Sequence, residues 1–223
     1  MNILITDTET TGLKAEECKV IELAFILYNV ETATELASAS SLIYAPENPA
    51  ESVNHIGQET LNLVQHSVMP NFIVNAFSLA EAEADFIMAH NAPFDKAFVH
   101  AHVAKTKKPW VCSKSDIKWP KAGSGNRLGY LAVDHGIIVN DAHRALGDCR
   151  TLRALCQACP NLAEQILETV GSKVYKAIVT FDQKEQAKAA GFNWDGYAKM
   201  WKRRMNPAKA VELPFAVEEL PNG

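Results

Sequence analysis

The chain of 223 residues has no apolar run long enough to cross a bilayer, and no basic-then-apolar leader opens it. No membrane partner is expected, and a cytoplasmic location is. Cysteine is scarce: Cys18, Cys112, Cys149, Cys156 and Cys159 form an odd, scattered set. Such a set argues against a disulfide framework and fits a reducing compartment. Cys156-Gln-Ala-Cys159 has zinc-knuckle spacing, yet no second Cys or His pair stands at a matching distance. Two small residues near a helix end are the better reading. There is no internal repeat. What remains is enough ordinary globular sequence for one sizeable core and a small appendage.

Charge is unevenly spread. The net charge is −4, but residues 1–171 carry −7, residues 172–211 carry +6, and the last twelve carry −3. An acidic body joined to a small basic module suggests an anionic partner. Within the body, Lys105, Lys107, Lys108, Lys114, Lys118, Lys121 and Arg127 form a second basic stretch, opposed only by Asp116. Solvated surface explains such a cluster more often than nucleic acid does.

Hydrophobic patterning predicts strands over Asn2–Thr6, Val20–Val30 and Ser41–Ala45, the last ended by Pro46 and Pro49. Helical patterns follow at Gly57–Gln65 and Phe72–Glu83, then a strand at Asp85–Ala89 and a helix at Phe94–Ala104. A short strand at Val111–Cys112 precedes helices at Leu128–His135, Arg144–Cys156 and Leu162–Val170. Strands first, then strands alternating with helices, imply an α/β chain with a mixed sheet flanked by helices. A second unit begins near Ser172. Its strand Val174–Thr180 leads to a helix with an Asp182-Gln-Lys-Glu185 capping box, ending at Gly191. Phe192–Trp194 and Ala198–Arg203 then flank the turn signal Asp195-Gly196. The expected domains are a main domain over 1–171, a small basic βαββ unit over 172–205, and an irregular tail over 206–223 with Pro207, Pro214 and Pro221.

Asp7-Thr-Glu9 lies at the end of the first predicted strand. Side chains two apart on a strand share a face, so both carboxylates reach one point. Clustered carboxylates repel unless a proton or cation lies between them, and hard divalent ions take oxygen ligands of this kind. His90-Asn-Ala-Pro-Phe-Asp95 follows a short strand and opens a helix. His143-Arg-Ala-Leu-Gly-Asp148 opens another. On one continuous helix His143 and Asp148 would diverge. They converge if His143 lies in the entering loop and Asp148 in the first turns. An exposed acidic strand end, or a lone surface acid on a helix, is the ordinary alternative for each; three separated acidic segments, each at an element end, are less easily explained that way.

In that order, Asp7-Thr-Glu9-Thr-Thr-Gly12, His90 to Asp95 and His143 to Asp148 resemble the three motifs of the DEDDh exonucleases. Asn54-His-Ile-Gly57 and Leu128 to Ile137 resemble the segments usually found between those motifs. The likeness spans roughly residues 1–160, and Arg144 stands where the tyrosine branch of the superfamily carries Tyr. It implies a ribonuclease H-like fold with a five-stranded sheet. It also implies a 3′-5′ exonuclease whose two divalent cations, Mg²⁺ or Mn²⁺, are held by Asp7, Glu9, Asp95 and Asp148. His143 would act as general base, and Glu9 would bridge the cations or orient the water. Thr10, Thr11 and Gly12 would present backbone groups to the terminal nucleotide. Leu13 would wedge beside its base, with Asn91 and Phe94 lining the strand's path; core packing is the alternative for Leu13 and Phe94.

The substrate implied is the 3′ end of DNA, with RNA the alternative, and a replication or repair protein would be a partner. A second function class, a nucleic-acid-binding module without catalysis, would be favoured by a missing carboxylate, and none is missing. In the appendage, Ala187-Lys-Ala-Ala-Gly-Phe-Asn-Trp-Asp195 with Trp201 resembles a small domain of unknown role. Its Phe192, Trp194, Tyr197 and Trp201, interleaved with lysines and arginines, would suit stacking on bases or would form the unit's own core. Glu212-Leu-Pro-Phe215 loosely resembles a sliding-clamp-binding peptide, with a packed or disordered tail as the alternative.

Overall fold

The computed structural model describes residues 1–196 and 198–220. The chain divides into two compact units, the first running from Met1 to Ala163 and the second starting at Glu164. Among the described residues no helix is long and apolar enough to cross a membrane.

The first unit is built on a five-stranded mixed sheet. Its strands are β1 (Asn2–Thr10), β2 (Val20–Asn29), β3 (Thr34–Leu42), β4 (Phe86–Ala89) and β5 (Trp110–Cys112), in the spatial order β3-β2-β1-β4-β5. β1, β2 and β3 form an antiparallel meander, while β4 runs parallel to β1 and β5 parallel to β4. β2 is buried along all but its last residue because both faces of the sheet are covered, which is why its sequence is a near-continuous apolar run. Glu22 is the one charged residue inside it.

Two strands depart from the pattern read in the sequence. β1 does not stop at Thr6. Pairing with β2 carries it through Asp7, Thr8 and Glu9, with Asp7 opposite Ala24 and Glu9 opposite Glu22, until a bulge interrupts the ladder before Thr10. The third strand is Thr34–Leu42 rather than Ser41–Ala45. It is an edge strand of Thr, Ser and Ala residues whose backbone pairing to β2 decides its place.

Helices α1 (Glu51–Asn54), α2 (Gln58–Leu63) and α3 (Met69–Glu83) connect β3 to β4. α3 buries Ile73, Phe77 and Ala80 in a cluster with Leu4, Leu23, Phe25, Ile87 and Phe98, and Phe77 meets Phe25 edge-on at 6.1 Å. α4 (Ala92–His102) begins two residues earlier than the apolar spacing implied. Pro93 lies in its first turn, where a missing N–H costs nothing. α5 (Leu128–Asp134) precedes α6 (Ala145–Gln157), which lays Ala145, Cys149, Leu152 and Cys156 against the sheet at helical spacing. α7 (Leu162–Val170) follows. Gly147 is needed on α6: a Cβ there would lie 2.2 Å from the Asp141 carbonyl oxygen, so this glycine lets the turn before the helix close against it.

The second unit is a four-stranded antiparallel sheet of order β7-β8-β6-β9. Its strands are β6 (Lys173–Ala177), β7 (Asn193–Asp195), β8 (Met200–Met205) and β9 (Val217–Glu219), accompanied by α8 (Lys184–Ala189) and α9 (Pro207–Ala210). The capping box is Thr180 with Gln183, opening a 3₁₀ turn at Phe181–Gln183, rather than Asp182 with Glu185. The stretch expected to be irregular supplies α9, with Pro207 as its first residue, and β9, which pairs with β6. Tyr197 and Pro221 lie outside the described residues.

Tyr175, Ala177, Ala187, Phe192 and Met205 form this unit's core, joined by Trp201, Leu213 and Phe215. Phe192 and Phe215 stand 5.6 Å apart edge-on, so the Glu212–Phe215 stretch is packed rather than free. Trp201 belongs to the core and Trp194, half exposed, leans on it at 5.6 Å. β9 also changes the electrostatics. Lys173 pairs with Glu219, Lys176 with Glu218, and Lys202 with Asp195. Exposed pairs like these add little stability, but Glu218 and Glu219 offset part of the positive charge that residues 172–211 carry.

Candidate active site

The site is assembled at the carboxyl ends of the parallel strands β1 and β4, where ligands of open α/β sheets bind. β1 contributes Asp7 and Glu9 on one face, and the first turn of α6 contributes Asp148. One oxygen from each of these three half-buried carboxylates lies within 4.8 Å of the others. Asp95, in the first turn of α4 and 3% exposed, stands beside them. Its Oδ1 accepts hydrogen bonds from the Thr8 N–H at 3.0 Å and the Thr8 hydroxyl at 2.9 Å. The strand residue between Asp7 and Glu9 thus anchors the fourth carboxylate, a role absent from the sequence reading.

So much like charge in one place is costly, and it raises the carboxyls above their ordinary range. Burial, followed by the charges of Asp95, Asp148, Glu9 and Glu22, pushes Asp7 well above the usual carboxylate range. Burial and Asp148, Glu22 and Asp95 push Glu9 up to about 8, against the opposing pull of Arg144. Asp95 is pushed up to about 7 by burial, restrained by the Thr8 hydrogen bonds. Burial also raises Asp148, against the charge of His143 and a hydrogen bond from the His143 backbone N–H.

His143 lies in the turn entering α6, exposed and with a left-handed backbone (φ 61°), while Asp148 follows one turn into the helix. The His143 ring meets His55 edge-on, centroids 5.8 Å apart. His55 ends α1, also left-handed (φ 56°), and its buried neighbour Asn54 donates to the Thr10 carbonyl at 3.0 Å. His90 of the second motif is structural. Its ring bonds the Ser113 hydroxyl and the Asn126 carbonyl, both at 2.9 Å, tying down the basic loop.

Beyond Glu9, the chain turns outward. Thr10 Oγ1 donates to the Gly12 carbonyl, while the Thr11 N–H donates to the Lys19 carbonyl and so is already used. A Cβ on Gly12 would meet Cys18 Sγ at 2.6 Å. Leu13 is 85% exposed, which removes core packing as its explanation. Phe94 is half-buried against Phe98 at 4.8 Å and packs on the core. Asn91, exposed, carries φ 136° at the start of α4.

Sequence reasoning missed Glu22 altogether and used Arg144 only as a branch marker. Glu22, 2% exposed, receives both Nε and Nη2 of Arg144 at 3.0 Å, the Ala145 N–H at 3.1 Å and the Ser40 hydroxyl at 3.1 Å. The available signal was a carboxylate inside an otherwise apolar strand.

The DNA polymerase III subunit epsilon of Treponema pallidum is 33% identical to this chain over 159 residues, covering 67% of this chain and 72% of that one. The chain belongs to the DEDDh 3′-5′ exonuclease family. Among solved structures, exonuclease X in complex with 5′ overhanging duplex DNA superposes on this exonuclease with a TM-score of 0.53 at 21% identity, covering 75% of this chain and 95% of that one. The nuclease domain of 3′hExo bound to rAMP does so with a TM-score of 0.54 at 14% identity, over 73% and 92% of the two chains. Both share its ribonuclease H-like fold. Residues 173–220 of the exonuclease match a domain of unknown function, DUF8626.

The all-oxygen donor set, gathered in a half-buried cluster to which no lysine or arginine forms an ion pair among the described residues, fits hard divalent cations. Because Glu9 and Asp95 must lose protons to bind them, cation affinity is expected to rise with pH, on the order of tenfold between about pH 6.5 and 8.5. Without cation the sign for stability is opposite. Folded-state values of about 8 and 7 lie above the ordinary 4.5 and 3.8, so the folded chain holds extra protons between those limits and loses stability as pH rises through them. Thermal midpoints measured with Mg²⁺ and with a chelator across this window should therefore diverge as pH rises. A constant gap would contradict the raised carboxyls.

Proposed function

We propose that the chain hydrolyses phosphodiester bonds from the 3′ end of DNA, releasing nucleoside monophosphates, with Asp7, Glu9, Asp95 and Asp148 holding two divalent cations, Mg²⁺ or Mn²⁺. The observation that carries this reading is the approach of the Asp7, Glu9 and Asp148 oxygens to within 4.8 Å of one another at the foot of the helix that follows His143. When bound, the cations would neutralise charge on the scissile phosphate and the leaving oxygen and make water acidic enough to give up a proton and become the nucleophile. His143, exposed in the turn that enters α6, takes the water's proton. Glu9, on the same face as Asp7, orients that water. Leu13 projects from the loop after β1 as the wedge beside the terminal base, while Gly12, Thr10, Thr11 and Asn91 border the nucleotide's path. Phe94 contributes there only through its exposed edge.

DNA is favoured over RNA because the 33%-identical relative is a DNA polymerase subunit. RNA stays as the second reading, since one neighbour of similar fold was solved with rAMP. A replication or repair partner and a cytoplasmic location belong to this proposal. The deciding experiment offers single-stranded DNA, duplex DNA and RNA, each labelled at the 5′ end, with Mg²⁺, with Mn²⁺ or with chelator. A ladder shortening from the 3′ terminus of DNA, abolished by chelator, is the expected result. Equal or faster shortening of RNA would replace the substrate assignment, and no shortening of any polymer would overturn the activity.

A further inference from the structure

Glu22 and Arg144 are 122 residues apart in sequence and form an ion pair around a carboxylate that is almost wholly inaccessible. Glu22 lies opposite Glu9 on the neighbouring strand, so it adds a fifth negative charge to a crowded site. A buried carboxylate in that position persists only with full compensation, and here it has four donors: two from the guanidinium, one from the Ala145 backbone and one from Ser40. The two-pronged guanidinium contact fixes an orientation as well as a distance.

The residues it fixes are telling. Arg144 and Ala145 are the two that follow His143, and Ala145 is the first residue of α6. His143 itself is in an exposed turn with positive φ, a conformation that a side-chain-bearing residue holds only when its surroundings impose it. On its near side, the turn is closed by Gly147 lying under the Asn140 and Asp141 carbonyls. On its far side the bracket is Glu22. Asp148 is held by the hydrogen bonding of α6 itself, its N–H donating to the Arg144 carbonyl, and its carboxylate takes the His143 backbone N–H.

We infer that Arg144, clamped by Glu22, is a positioning residue that holds the His143 imidazole in register with the carboxylate cluster. The inference rests on the functional reading above and deepens it: the loop residue is aimed from the sheet as well as by its own short turn. Arginine suits this place because its planar fork gives two parallel N–H bonds to Glu22, whereas a lysine ammonium, a point charge on a flexible stem, fixes no such orientation.

The test measures DNA shortening under single turnover by wild type and by Arg144→Ala, Arg144→Lys and Glu22→Gln, with circular dichroism to verify folding. Arg144→Ala should lower the rate at saturating DNA and Mg²⁺ by about tenfold to a hundredfold, the scale of an ångström's misplacement, with KM and the Mg²⁺ half-saturation within about twofold of wild type. Guanidinium added to Arg144→Ala should restore part of the rate, since the Arg144 side chain is 45% exposed and its place can be reached from solvent. In a His143→Ala background, Arg144→Ala should cost nothing further. Arg144→Lys and Glu22→Gln should fall between, and either carries the test if Arg144→Ala does not fold. An unchanged rate in the folded variants overturns the inference. So does a parallel loss of Mg²⁺ affinity, which would mean the pair merely holds α6 and Asp148, and so does full additivity with His143→Ala. A wild-type chain that shortens no DNA overturns the functional reading, and this inference with it; an active wild type beside an equally active Arg144→Ala overturns this inference alone.

Discussion

An Asp7→Asn chain is expected to lose cation-dependent shortening of DNA by about a thousand-fold or more, while melting at or above the wild-type temperature in chelator at about pH 8. The two effects have opposite signs for one reason. Asp7 sits at the centre of the cluster, with Asp95, Asp148, Glu9 and Glu22 all raising the cost of its charge. Without a cation that charge is a liability, and an amide of the same shape removes it. With a cation it is a ligand, and an amide oxygen with no formal charge is a poor replacement. The lost rate corresponds to roughly 4 kcal/mol of transition-state stabilisation, whereas the stability gain should appear as a rise of a few degrees in thermal midpoint. Addition of Mg²⁺ should raise the wild-type midpoint and leave that of Asp7→Asn nearly unmoved. Retained activity would remove Asp7 from the site. Loss of activity together with loss of folding would make it a structural residue.

That opposition explains which parts of the site could be seen in the sequence. Asp7, Glu9, Asp95 and Asp148 are legible because their chemistry is local: acidic residues at element ends, on faces set by the period of a strand or a helix turn. Placing His143 in a loop and Asp148 on the following helix also needs only helix geometry. Glu22 is different. Its partners are defined by the register that sets it opposite Glu9 and by the approach of α6, 122 residues later, to β2. No spacing along the chain encodes either relation. Thr8 escaped notice for the same reason, since its hydrogen bonds to Asp95 cross 87 residues.

The fold divides along a similar line. β2 and β4 are apolar and buried, so their composition marks them. β3 is exposed over its first half and belongs to the sheet by backbone pairing, to which side-chain hydrophobicity gives no clue. The polar end of β1 is strand for the same reason. In the second unit, the basic run and the acidic tail look independent in sequence, yet β9 brings Glu218 and Glu219 against Lys176 and Lys173. Net charge summed over a segment is a poor guide when the neutralising residues return from elsewhere in the chain.

His143→Ala is expected to separate proton transfer from cation binding. The substitution should lower the rate at saturating DNA and Mg²⁺ by about 10² to 10⁴-fold, the usual contribution of a positioned general base. The cation-induced rise in thermal midpoint should survive, because the imidazole stands outside the group formed by Asp7, Glu9 and Asp148. Its exposed place in the turn is open to small solutes, so imidazole in the buffer should restore part of the rate. His55 is the ring that meets it, 5.8 Å from His143 between centroids. If His143→Ala keeps near wild-type activity, the test is to combine it with His55→Ala: collapse only in the double variant would move the proton-accepting role to the pair. If cation binding disappears with His143, the imidazole is a ligand rather than a base. The physical distinction is whether the side chain competes for the cation or for the water's proton, and Mg²⁺ half-saturation measured beside imidazole rescue reads both in one variant.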